Sequence, residues 1–135
     1  MYALSSVEDH LDKAEHDLRI SHQLLQNVST LDWCITCLFY FALHCVSAHA
    51  RNNGWTTFEP QPNEKISAHR KMINYVNQNM TRLFGTYNRL FDRSMQCRYD
   101  PVYFKSLEHN RTKILYQRSK NMIINLHYFP KDRVP

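Results

Sequence analysis

From Val7 to Leu25 the apolar residues return at alternating steps of four and three: Val7, Leu11, Ala14, Leu18 and Leu25, with Ser21 completing the row. That period places one apolar stripe on a helix over residues 6–27. Ser5 and Glu8 have capping-box spacing at its start. Its acidic residues fall mostly off the stripe and are expected to face water. From Asp32 to Asn52 the pattern changes. The run Trp33-Cys34-Ile35-Thr36-Cys37-Leu38-Phe39-Tyr40-Phe41 and its continuation to Ala50 are apolar nearly all round, as in a central helix contacted on several sides. Gly54 suits a left-handed cap behind it, and Pro60 and Pro62 predict a loop over Trp55–Asn63.

A third helix is expected from Pro62-Asn63-Glu64 to about Asn79. Ile66, His69, Ile73, Val76 and Met80 form its inward row, so a histidine takes an inward position. A fourth covers Thr81 to Cys97, with Leu83, Phe84, Tyr87, Leu90 and Phe91 facing in. Gly85 weakens it slightly or admits a close neighbour. Asp100-Pro101 reads as a cap and first turn, restarting a fifth helix from Val102 to about Leu126. No segment alternates with period two for long enough to form a strand. The chain therefore reads as all-α: an antiparallel helical bundle of four to five helices, one domain over residues 1–128, with a loose tail at 129–135.

Composition narrows the choices. The 135 residues make one ordinary domain, and 43% hydrophobic with 21% charged residues suits a packed globule. Two glycines leave no Gly-rich phosphate loop, which excludes a P-loop or Rossmann site. No run of about eighteen apolar residues is present, so no membrane span is expected. The start lacks a signal-peptide layout, and the four cysteines are expected to be reduced thiols in the cytoplasm. The net charge of +5 is uneven: residues 1–32 carry six acids against two bases, residues 33–135 fifteen bases against six acids. A basic body permits an anionic partner such as RNA or nucleotide.

Three blocks then stand out. Asp32-Trp33 followed by Phe39-Tyr40-Phe41-Ala42-Leu43-His44 resembles the second-helix signature of HEPN domains. Ser67-Ala68-His69-Arg70 resembles their third-helix start, and Arg98-Tyr99-Asp100-Pro101 the segment before their last helix. Order and spacing fit over roughly residues 5–126. The resemblance implies a HEPN-like helical homodimer that acts on or binds RNA or nucleotide. It also implies a prokaryotic defence or toxin–antitoxin setting, with a cognate antitoxin or nucleotidyltransferase as possible partner. Active members carry R-x(4–6)-H and cleave RNA without metal. No arginine here precedes a histidine at that gap; Lys120 and His127 have the spacing with the wrong cation. The expected function is therefore RNA or nucleotide binding without catalysis. The alternatives are a metal-independent ribonuclease with a non-standard Arg/His site and a protein-interaction module.

For such a site the candidates are His69, Arg98 and His44 as catalytic groups, moving a proton and stabilising charge on phosphate. Arg70 and Tyr99 flank them as ligand-binding residues. The same residues have a plainer reading, in which His69 and His44 are satisfied core histidines and Arg98 pairs with Asp100 or a carboxylate of another helix. On the last helix Arg111, Lys113 and Arg118, with Lys105 and Lys120, make a basic face with Tyr103, Tyr116 and Tyr128 among them. Such a face contacts a phosphate backbone or simply meets water. Cys34-x-x-Cys37, with Cys45 and His49 farther on, lacks the converging ligands of a zinc site and the context of a redox motif. No metal or cofactor is expected.

Overall fold

A computed structural model describes residues 3–135. The helices are α1 (Val7–Leu24), α2 (Leu31–Asn52), α3 (Ala68–Asn79), α4 (Phe84–Tyr99) and α5 (His109–Asn125). No strand occurs among the described residues; one isolated antiparallel bridge joins Ala3 to Thr57. The bundle is all-α, as the hydrophobic periods require.

α2 is the axis. Thirteen of its residues are buried, and α1, α3, α4 and α5 all pack on it. Phe39 meets Tyr87 and Phe91 of α4 at ring distances of 5.7 and 5.6 Å. The helical run Val28–Asn52 is long and apolar enough, by length and composition, to cross a membrane, contrary to the reading of the sequence. Yet 67% of its most apolar window is buried inside the bundle, where a central helix belongs. The C-terminus of α2 closes as foreseen: Gly54 sits at φ +88°, with Trp55 N–H donating to Ala50 O and Gly54 N–H to Arg51 O.

Several boundaries shift for local reasons. α1 is capped by Ser6, whose hydroxyl accepts from Asp9 N–H at 3.0 Å, one residue later than expected. Its buried face is His10, Ala14, Asp17, Leu18 and Ser21, so Asp17 does not face water. α3 begins only after Ser67, whose hydroxyl accepts from Arg70 N–H. Residues 61–64 form a separate turn in which Glu64 Oε1 accepts from Gln61 N–H. α5 starts at His109, not Val102. Asp100 does act as a cap, accepting from Val102 and Tyr103 N–H, but the turn it starts is a short 3₁₀ segment, Tyr103–Ser106. There the Ser106 hydroxyl takes the Tyr103 carbonyl, and Leu107 is extended and packs on the core.

The tail is docked, not loose. Phe129 is 1% exposed and its ring meets Phe41 edge-on at 5.2 Å. Arg133 reaches back to Glu8, Asp12 and Glu15 of α1 at 2.7, 2.9 and 3.2 Å.

Candidate functional site

Two concavities hold six of the eight candidate site residues: His44, His69, Arg98 and Tyr99 in one, Arg111 and Arg118 in the other. The first is a cavity of about 730 Å³. α2 supplies one wall through Trp33, Cys37, Tyr40, Leu43 and His44, its one incompletely buried stripe. α1 brings Lys13, His16 and Asp17; α3 brings His69 and Met72; Arg98 and Tyr99 close it from the end of α4. His69, Arg98, His44 and Tyr99, separated by up to 55 residues, are therefore brought to one cavity. Arg70 is exposed on α3 and does not line it.

Arg98 pairs with no carboxylate among the described residues. Its Nε donates to Ser94 O at 3.2 Å, Nη1 to Tyr40 OH at 3.0 Å, and Nη2 to Ser94 Oγ at 3.3 Å. Its guanidinium also lies 5.6 Å from the Tyr40 ring centre and 5.4 Å from that of Tyr99. Asp100, the nearby acid, is occupied with backbone N–H groups. Arg98 is thus an oriented cation with N–H capacity left over. His69 lies against Phe91, ring centres 5.3 Å apart. Burial, then the charge of Arg98, lowers its pKa.

His44 belongs to a chain that the sequence did not suggest. Ser5 N–H donates to His10 Nε2 at 3.1 Å, so the His10 proton resides on Nδ1. That proton points to His44 Nδ1 at 3.1 Å, which puts the His44 proton on Nε2. Nε2 faces Asp17 Oδ2 at 3.9 Å, beyond hydrogen-bond range. Asp17 Oδ1 is held by Lys13 at 3.0 Å and His16 at 3.4 Å, whereas Oδ2 is buried with no hydrogen-bond partner. Burial first of all lowers the His44 pKa to about 4, and it lowers that of His10 too. Both rings are neutral at neutral pH. Asp17 and His10 share the helical row His10, Ala14, Asp17, Ser21 on α1; that spacing was the available signal.

The second concavity, about 960 Å³, lies between α4 and α5. Arg82, Arg89 and Arg93 line it from the α4 side, Arg111 and Arg118 from α5, and no carboxylate does. Arg82, Arg89 and Arg118 make no ion pair among the described residues. Arg93 donates to Tyr103 OH at 3.3 Å, and Arg111 meets Glu108 at 3.4 Å on the open surface. Between the arginines run Ile114, Leu115, Met122 and Leu126. Arg111 and Arg118 were legible as candidates. Their partners on α4 were not, because a basic face on one helix does not reveal which helix it will oppose. Lys113 is exposed outside the groove.

The remaining candidates serve the fold. His127 is the left-handed residue ending α5, at φ +65°, and Lys120 Nζ lies 5.1 Å from the Tyr116 ring centre. His49 Nδ1 is 2.6 Å from Tyr75 OH. The four cysteines are free; burial raises Cys34 to about 11 and Cys97 to about 12, so these remain unreactive thiols. No group of three or more His, Cys, Asp or Glu among the described residues is arranged to hold a metal ion. Compared with models of protein families, with curated proteins and with solved structures, the chain shows no significant match.

Proposed function

We propose that this protein is a HEPN-like RNA-binding protein that holds the phosphate backbone in the groove between α4 and α5 and does not cleave it. The observation that carries the reading is the arginine groove: five guanidinium groups from α4, α5 and the 3₁₀ turn Thr81–Leu83 before α4, with no carboxylate in the lining. Like charges concentrated this way repel one another. They are favoured when a polyanion replaces its condensed counterions with them. Arginine is the suited cation because its planar fork bonds two phosphate oxygens at once. The groove lining holds no aromatic side chain, so bases have no stacking platform there and binding is largely indifferent to sequence.

The reading without catalysis is supported by the state of His44. His44 has one ring nitrogen engaged by His10, and its pKa near 4 keeps it from donating a proton at neutral pH. A homodimer, a cognate antitoxin or nucleotidyltransferase, and a prokaryotic defence setting belong to the same reading through the sequence resemblance.

The test is the anisotropy of a labelled single-stranded RNA oligomer titrated over a range of salt. With four or five phosphates neutralised, log affinity is expected to fall with log salt at a slope of about −3. Arg89→Gln and Arg118→Gln each reduce that slope by about 0.7. The RNA is recovered intact in the presence of chelator. Affinity indifferent to salt, or unchanged in both variants, sinks the binding site. Cleavage that is lost in Arg98→Ala and His69→Ala moves the function to the other cavity.

A further inference from the structure

The cavity between α1, α2, α3 and the end of α4 is separate from the arginine groove and differs in character. Its walls are mostly apolar, built from Ile20, Leu43, Phe58 and Met72, with Trp33 and Tyr99 exposed at its edges. Its charges are arranged asymmetrically. Lys13 is met by Asp17 at 3.0 Å, but Arg98 faces no carboxylate. Arg98 is also fixed before any ligand arrives, held on Ser94 and Tyr40 through Nε, Nη1 and Nη2. A tethered guanidinium gives up little side-chain entropy on binding, and with Nη2 also on Met95 Sδ it keeps one N–H, on Nη1, for an oxyanion acceptor. A volume of about 730 Å³ is that of a small-molecule site.

We infer that this cavity binds a small amphiphilic anion: a flat apolar ring system seated against Leu43 and Met72, with one carboxylate, sulfonate or phosphate group on Arg98. Tyr99 covers the anionic end, since its ring already lies beside the guanidinium. The site is independent of the RNA reading, because none of the groove arginines lines it.

The probe is 1-anilinonaphthalene-8-sulfonate, whose fluorescence rises in an apolar, water-poor site. It is titrated into the folded protein at neutral pH beside N-phenyl-1-naphthylamine, the same ring system without the sulfonate. The expected result is one saturable site per chain, with the neutral analogue bound about 10-fold more weakly or worse. Arg98→Gln brings the anion down to the affinity of the neutral analogue. Tyr99→Ala, a change at an exposed residue, weakens the anion alone. Arg89→Gln in the arginine groove changes neither. Competition by 1-naphthoate and by 1-naphthyl phosphate separates a carboxylate ligand from a phosphate one. Each variant is checked by near-ultraviolet circular dichroism. Equal affinity of the parent for the charged and neutral probes overturns the assignment without any mutation. So does anion binding that survives Arg98→Gln but is lost in Arg89→Gln, or no saturable binding at all.

Discussion

At the residue scale the most consequential group is His44, which ties the cavity wall to α1 through His10 and to the N-terminal segment through Ser5. In the folded chain His44 stays neutral down to about pH 4, against an ordinary value of 6.5. The unfolded chain therefore takes up the proton first. The stability that comes from keeping this ring neutral is complete above pH 6.5. It is lost progressively as the pH falls, and the loss levels off near pH 4. A depression of this size corresponds to roughly 3 kcal/mol at most. Urea unfolding of the parent at several values between pH 4 and 7 is expected to show this slope, and His44→Gln to flatten it. A variant whose acid loss matches the parent's refutes the assignment. None of this was readable beforehand. Hydrophobic counting on α1 selects Val7, Leu11, Ala14, Leu18 and Leu25 and leaves Asp17 outside the row. Only the packing of α1 on α2 buries Asp17 facing His44.

Helix by helix, the sequence was more informative, and unequally so. α2 stands where its uninterrupted apolar run placed it, because a helix with no polar face has only the centre of a bundle to occupy. α3 and α5 were drawn too long at their starts. Proline and acid signals mark turns as readily as helices, and the deciding caps, Ser67 for α3 and the break at Leu107 before α5, lie farther along. Two helix ends make a paired prediction. Both α2 and α5 finish with a left-handed residue, Gly54 at φ +88° and His127 at φ +65°. The backbone N–H of the following residue bonds the carbonyl five positions back in each, Trp55 to Ala50 and Tyr128 to Ile123. A Cβ in that conformation costs roughly 1–2 kcal/mol. Gly54→Ala is expected to destabilise by about 1 kcal/mol, although no atom lies within 4 Å of the added methyl. His127→Gly is expected to stabilise by a similar amount. Denaturant midpoints moving in opposite directions are the result to look for; both falling would mean that His127 holds its end of α5 through its side chain.

For the whole molecule, the sequence contained the residues of both concavities but not the concavities. His69, Arg98 and Arg118 were legible as chemistry; which helices stand apart to leave a groove is decided by how α4 and α5 each pack on α2. The extent of the folded unit was misjudged for a related reason. A short stretch with two prolines and three charges looks like a tail, and the one apolar residue that matters, Phe129, carries no period with which to announce itself. In the fold it is 1% exposed and meets Phe41 of the central helix. Arg133, four residues on, lies across three carboxylates of the acidic α1, which places the uneven charge noted in the sequence within one contact. Phe129→Ala is accordingly expected to cost about 3–5 kcal/mol, as a core aromatic does. Arg133→Ala leaves Glu8, Asp12 and Glu15 repelling one another along one helix face. It is expected to lower the melting temperature at low salt and to have little effect near 1 M salt, where such charges are screened within about 3 Å. Thermal unfolding of both variants at the two salt concentrations separates the contributions. The Phe129 loss persists in salt because it is a packing loss, and the Arg133 loss does not. If Phe129→Ala melts with the parent, the chain beyond Tyr128 is dispensable and the domain ends where the sequence pattern placed it.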